Sequence, residues 1–310
     1  AAPPLALAAS ARPGGLLRRA LLLDEVTSGI EMEHRWAVFS DELFEDPAYA
    51  RTLLLLSAAG VRDTTPHALA RTFEANWDLV ETHVDPDATA PGDVGPLVAD
   101  VLDRLDRITD LRAECRDPSD KLLAKLTELA EWADDVRTLP DDVSRVQALR
   151  DARSYGGVGF RTQGGRKAAW DRPCADIKAD LRDLEDAIDE VLREVATRCA
   201  HHLGAAIRRF TLASAADRRQ AGTLEFHDLL VLARGLLRDP DHGATVRTAL
   251  HDRYRRLLLD EFQDTDPIQI ELAVRIAAAD PAGEAAAAPD WRDVEVVPGR
   301  LFVVGDPKQS

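Results

Sequence analysis

Arg256-Leu257-Leu258-Leu259-Asp260-Glu261-Phe262-Gln263-Asp264-Thr265-Asp266-Pro267-Ile268-Gln269 is the stretch whose reading decides the fold. Its leucines end abruptly in two carboxylates, as a buried parallel strand does when its carboxyl edge opens onto a ligand; open α/β sheets bind in the crevice outside those edges. Asp266 stands where a helix N-cap belongs, Pro267 suits the first helical position and Gln269 falls at the capping-box spacing. The helix that follows is predicted to bury Ile268, Leu272, Ala273 and Ile276. After an Ala/Pro/Asp-rich link over 280–300, a second strand is predicted at 301–304, running into Gly305-Asp306-Pro307-Lys308-Gln309-Ser310. Strand, helix, strand over this length is a βαβ unit and calls for a parallel sheet.

An acidic pair directly after a buried strand is costly unless something positive meets it. Mg²⁺ with nucleotide phosphates supplies that charge, because the ion favours one or two carboxylates plus phosphate oxygens. On this reading Asp260 holds the metal through its water shell, and Glu261 orients and deprotonates the attacking water. Gly305 permits a tight turn off the second strand and Pro307 stiffens it. Gln309 is a neutral hydrogen-bonding group suited to reading a γ-phosphate without neutralising it. Either motif alone is also compatible with an ordinary surface turn. The two together, in this order, favour a nucleotide site.

Upstream the pattern is helical from Glu25 to about Asp217. A helix is predicted over 121–138, with Leu122, Leu126, Leu129 and Trp132/Ala133 on one face, and a longer one over about 178–218. In the latter, Leu181, Leu184, Ile188, Val191 and Val195 alternate steps of three and four, which is core packing. Between them the glycines Gly156, Gly157, Gly159, Gly164 and Gly165 punctuate Arg161, Arg166 and Lys167, and a flexible loop is expected. Across 145–172, seven basic residues against Asp151 and Asp171 leave a local charge of +5, with Tyr155, Phe160 and Trp170 interleaved. Arg161, Arg166 and Lys167 are candidate phosphate contacts, and a solvated surface loop is the equal alternative.

The 310 residues suffice for two domains, and 45% hydrophobic with 30% charged residues is a globular composition. A net charge of −16 excludes a generic basic coat for nucleic acid but leaves room for a local patch. Cys115, Cys174 and Cys199 lie far apart without metal-ligand spacing, which fits a reducing cytoplasm. The apolar run 16–23 is broken by Arg18 and Arg19, so neither a signal peptide nor a membrane span is expected.

The stretch Leu258–Gln269 resembles helicase motif II of the UvrD/RecB family, whose Walker B box reads DEFQDT, with Asp-Pro-x-Gln as in its RecB and AddA branch. Phe302–Ser310 resembles motif III of that branch. Gly222-Thr223-Leu224-Glu225-Phe226-His227-Asp228-Leu229-Leu230 is similar to the family's acidic-Phe-x-Asp-Leu-Leu element, and Leu23–Val26 with Arg35-Trp36 bears a weaker likeness. The resemblance covers most of the chain beyond residue 21 and is specific after 222. It implies an α/β fold: part of a RecA-like, parallel-sheet P-loop NTPase domain (1A) carrying a large, mainly α-helical inserted domain (1B). The corresponding boundaries are a low-pattern, truncated N-terminal edge at 1–24, a 1B-like domain at 25–215 and the 1A part at 216–310.

The resemblance further implies an ATP-dependent 3′→5′ DNA helicase and translocase of repair or recombination. Mg²⁺ is its cofactor and ATP its substrate; single-stranded DNA, a duplex junction and a partner subunit of a RecBCD/AddAB-like complex are its partners. Asp260 and Glu261 take the metal and water roles, and Gln309 couples the γ-phosphate to domain motion. Departures also bear on activity. No G-x-x-x-x-G-K-[ST] phosphate loop occurs in the sequence, and motif III stops before its usual aromatic and arginine. The chain is therefore expected to be a helicase fragment, inactive by itself. The alternative is a non-catalytic helical DNA-binding or scaffolding subunit.

Overall fold

A computed structural model describes residues 21–306; residues 1–20 and 307–310 lie outside the described residues, and with them Gln309 and most of the 1–24 stretch. The elements in chain order are β1 (Leu21–Leu22), α1 (Glu25–Glu45), α2 (Pro47–Ala58), α3 (Thr65–Ala75), α4 (Trp77–His83), α5 (Gly95–Thr109), α6 (Lys121–Thr138), α7 (Asp142–Arg153) and α8 (Cys174–Ala221). They continue with β2 (Thr223–Leu224), α9 (Phe226–Arg238), α10 (Gly243–Arg253), β3 (Leu257–Leu259), α11 (Pro267–Ile276) and β4 (Leu301–Val303). Two compact units result: Glu33–Ala213, and the described residues before and after it. No helix among the described residues is long and apolar enough to cross a membrane.

The unit Glu33–Ala213 is helical. In α6 Leu122, Leu126, Leu129 and Ala133 of the predicted face are fully buried and Trp132 is half-buried, with Val136 continuing the stripe. Asp120 starts that helix by accepting the Leu122 N–H at 2.7 Å. Along α8, Leu181, Leu184, Ile188 and Val195 are buried as the spacing predicts, Val191 is half-buried, and Cys199, Leu203, Ala206 and Phe210 extend the stripe. The helix runs to 48 residues, longer than the predicted 178–218; Gly222, at φ +75°, follows its last residue and lets the chain turn away. Phe210 meets Phe39 and Trp36 at centroid separations of 4.8 and 5.8 Å.

In the other unit the chain before α1 is more structured than expected. Leu21 and Leu22, read as part of a patternless edge, pair in parallel with Thr223 and Leu224. The βαβ expectation holds in its connectivity: β3 and β4 are parallel, in register Leu257↔Leu301, Leu258↔Phe302 and Leu259↔Val303, with α11 between them in sequence. Its burial does not hold. Leu258 is 66% exposed and Phe302 46%, because among the described residues this sheet has two strands. The small core of this unit consists of Val274, Ala278, Ala286 and Val294 with Ile270, Trp291, Val296 and Leu301 against it.

Buried charges organise the remainder of this unit. Arg218 donates to Asp228 through Nε at 3.0 Å, and Asp228 in turn accepts the Glu225 N–H at 2.9 Å, closing the start of α9. Arg275, fully buried in α11, pairs with Glu271 at 2.7 Å and donates to the carbonyls of Ala286 and Ala288 at 2.6 and 2.7 Å. Arg247 similarly holds the Pro281 carbonyl at 2.7 Å. The Ala/Pro/Asp-rich link is thus tied down by arginines donating to its backbone oxygens, which satisfies carbonyls that would otherwise be buried without partners.

Candidate functional site

The ends of β3 and β4 run side by side. Beyond the paired strands, the Val304 N–H donates to the Leu259 carbonyl at 2.8 Å and the Phe262 N–H to the Val304 carbonyl at 2.9 Å. Between these bonds the chain turns sharply: Glu261 adopts φ +50° and ψ +48°, the one non-glycine residue at positive φ among the described residues. A left-handed glutamate is strained and persists where its surroundings over-determine it. Here they do. The Glu261 N–H donates to Asp260 Oδ1 at 3.0 Å, and the Glu261 carbonyl accepts from the Asp264 N–H at 2.9 Å and from Thr265 Oγ1 at 3.3 Å.

Gln263, in the short 3₁₀ turn Phe262–Asp264, links the two strand ends. Its Nε2 donates to Glu261 Oε2 at 2.6 Å, and its Oε1 accepts the Asp306 N–H at 3.0 Å. Gly305 makes this approach sterically feasible, since a Cβ there would stand 2.8 Å from Gln263 Oε1 and 3.2 Å from the Phe262 nitrogen. Asp266 occupies the N-cap position and Pro267 opens α11 as predicted, but no side-chain cap forms. The Asp266 carbonyl takes the Gln269 N–H at 2.9 Å instead.

Asp260 and Glu261 are exposed. Their expected burial, which would demand a compensating cation, is therefore corrected: a two-stranded sheet leaves this edge open to water. What remains is the donor set. Asp260 offers hard carboxylate oxygens at an open strand end, which suits Mg²⁺, an ion that keeps several waters and takes few protein ligands. Glu261 stands beside it with one oxygen held by Gln263; Gln309 lies outside the described residues.

The basic loop differs more from its expectation. Gly157, Gly164 and Gly165 pack, whereas Gly156 and Gly159 face open space: a Cβ on Gly164 would stand 2.5 Å from Lys121 Cβ and 2.7 Å from the Leu122 nitrogen. Phe160 and Trp170 are buried, whereas Tyr155 is fully exposed. Arg161 pairs with Glu185 at 3.0 Å, and Arg166 pairs with Asp117 at 2.7 Å while its own N–H donates to Asp120 Oδ2 at 2.7 Å. Arg153 and Arg172 are also paired, with Glu185 and Asp180. The local charge of +5 is thus largely compensated from α8 and from the turn before α6. Lys167 is exposed and forms no ion pair among the described residues. These residues belong to the unit Glu33–Ala213, and Asp260 and Glu261 to the other.

Sequence reasoning passed over Gln263 and the Arg218–Asp228 pair. The second had a signal, the Glu225-x-x-Asp228 spacing of a capping box; the first had none beyond an amide next to the acidic pair.

Known proteins bear on this geometry. The chain is 28% identical over 144 residues to an ATP-dependent helicase/nuclease subunit of Exiguobacterium sibiricum, covering 45% of this chain and 11% of that protein. The corresponding helicase/nuclease protein of Listeria monocytogenes is 29% identical over 174 residues, covering 54% and 12%. RecBCD enzyme subunit RecB of Escherichia coli is 30% identical over 140 residues, covering 45% and 10%. The matched part thus spans about a tenth of the length of these relatives. The family of the UvrD/REP helicase N-terminal domain matches residues 157–310, which include both strand-end motifs. Through those residues, the chain belongs to the UvrD/REP helicase family.

Proposed function

We propose that this chain supplies the metal- and water-handling half of the ATP site of a 3′→5′ DNA helicase and translocase acting in repair or recombination. The observation that carries the proposal is the locked pair of strand ends, with Asp260 and Glu261 on one and Gly305-Asp306 on the other. The names of the relatives, an ATP-dependent helicase/nuclease and RecB, support the same reading.

In this reading Mg²⁺, when bound with ATP, neutralises charge on the phosphates. Asp260 holds it through water, Glu261 accepts a proton from the attacking water, and Gln309 contacts the γ-phosphate. The phosphate grip is not encoded in these 310 residues, so the chain by itself is inactive. The unit Glu33–Ala213 corresponds to the 1B domain and the second unit to part of 1A. DNA, single-stranded and at a duplex junction, is the partner, together with a second protein chain in the manner of RecBCD- and AddAB-like complexes.

Glu261→Gln in the full-length protein tests the reading. Removing the proton acceptor should lower DNA-stimulated ATP hydrolysis by about 100-fold or more while leaving nucleotide binding intact. Undiminished hydrolysis would dismiss Glu261 as the base; no DNA-stimulated hydrolysis by the unaltered full-length protein would favour the rival reading, a non-catalytic DNA-binding or scaffolding subunit.

A further inference from the structure

The geometry points to Gln263 as a positioning residue that fixes the Glu261 carboxylate and ties it to Asp306, just beyond the end of β4. This deepens the proposed function and rests on Glu261 as the base that activates water.

A side-chain amide has a donor and an acceptor on opposite corners, and both are used here. Nε2 holds Glu261 Oε2 at 2.6 Å, and Oε1 holds the Asp306 N–H at 3.0 Å. Glu261 Oε1 makes no hydrogen bond among the described residues, so the amide fixes one carboxylate oxygen and leaves the other for water. The backbone of Glu261 is held separately, by Asp260, Asp264 and Thr265. Backbone and carboxylate are therefore fixed by different groups, and among the described residues it is the Gln263 side chain that spans from the base to the second strand end.

Two further features favour a tether over a chance surface contact. Glu261 is held in the left-handed region at φ +50°, and such strain persists where it serves a fixed geometry. Gly305 is the residue whose missing Cβ admits Gln263 Oε1, so the second motif is shaped around the amide of the first. Asp306, the residue held, stands three positions before Gln309 in the sequence. A shift of the tether would displace the base and Asp306 together.

No other side chain of similar size reproduces both bonds. Gln263→Glu keeps an acceptor for Asp306 but sets an anion against Glu261. Gln263→Met fills the same space and offers neither bond. DNA-stimulated ATP hydrolysis by the full-length protein, measured as kcat and nucleotide KM separately, distinguishes positioning from packing. Both variants are expected to lose about 10- to 100-fold in kcat with KM changed less than about threefold, as misplacement of a reacting group does. If both keep kcat within about twofold, or if the loss falls wholly in KM, the tether is refuted. Glu261→Gln, run in parallel, separates the two ideas. Loss of hydrolysis in Glu261→Gln with unaffected Gln263 variants refutes only the tether. Retained hydrolysis in Glu261→Gln removes the base reading, and the tether with it.

Discussion

Replacing Glu271 with alanine should destabilise the α11 region by about 3 kcal/mol, a magnitude that follows from which charges the glutamate compensates. Its side chain takes Nε of Arg275 at 2.7 Å and Nη2 of Arg238 at 2.6 Å. Arg275 is fully buried, and leaving a buried charge without its partner costs about 3–5 kcal/mol. The lower end applies, because its Nη1 and Nη2 stay on the Ala286 and Ala288 carbonyls. Arg238 is 34% exposed and adds under about 1 kcal/mol, since water replaces its partner. Removing both buried partners, in Glu271→Ala with Arg275→Met, eliminates the orphaned charge. The double variant should cost about 2 kcal/mol less than the sum of the singles. Amide hydrogen exchange in α11 reads this locally, as a fall in protection of about 100-fold for Glu271→Ala. A fall below about fivefold, or strict additivity in the cycle, would refute the account of α11 as held by a coupled buried pair.

Three further outcomes are expected. His202 is buried, with Nδ1 2.8 Å from Thr52 Oγ1 and its ring stacked on Tyr49; burial and Arg209 hold its pKa below 6.5, against the opposing pull of Asp46. The unfolded chain therefore takes up that proton first, so the stability contributed is full above pH 6.5 and is lost as pH falls through the depressed value. Urea midpoints between pH 5 and 7.5, at about half-unit steps, should fall on the acid side in the wild type and flatten in His202→Gln. Burial alone would raise the pKa of Asp120, but the N–H groups of Arg166 and Leu122 outweigh it and hold the carboxyl below its ordinary range. Asp120→Asn, which turns a donor toward one of those N–H groups, should cost about 2 kcal/mol at neutral pH and progressively less in acid, as a thermal melt would show. For DNA, Lys167→Ala should lower the slope of log K against log salt by about 0.9, with smaller changes for the paired Arg161 and Arg166. Unchanged slopes at all three would dismiss the loop as a phosphate contact.

What could be read from residues alone divides along the range of the interactions. The stripes of α6 and α8 were legible because helical burial repeats every three or four residues, and Leu126 or Ile188 needs no distant partner to be placed. The strand β1 was not legible: Leu21 and Leu22 pair with Thr223 and Leu224, about two hundred residues away, and two residues carry no period. Charge misled for the same reason. Arg161, Arg166 and Arg172 sum to a basic patch along the chain, yet Glu185, Asp117 and Asp180 meet them from neighbouring elements. Arg275 misled in the opposite sense, since an arginine in an amphipathic helix reads as solvated, and only the folded link over 280–289 supplies the carbonyls that bury it.

At the strand ends an electrostatic reason gives way to a conformational one. A buried strand end would make the acidic pair costly, and a cation would follow from that cost. The strand end is open, so Asp260 and Glu261 are solvated and no such cost arises. What sets this pair apart from any surface Asp-Glu is conformational: Glu261 is forced into the left-handed region, and Gln263 holds its carboxylate. Solvated carboxylates are ordinarily mobile, and immobilising one sacrifices rotamer freedom without a gain in burial. An exposed, strained and tethered glutamate is therefore poorly explained by stability, whereas fixing a proton acceptor before its substrate arrives is what general-base catalysis requires.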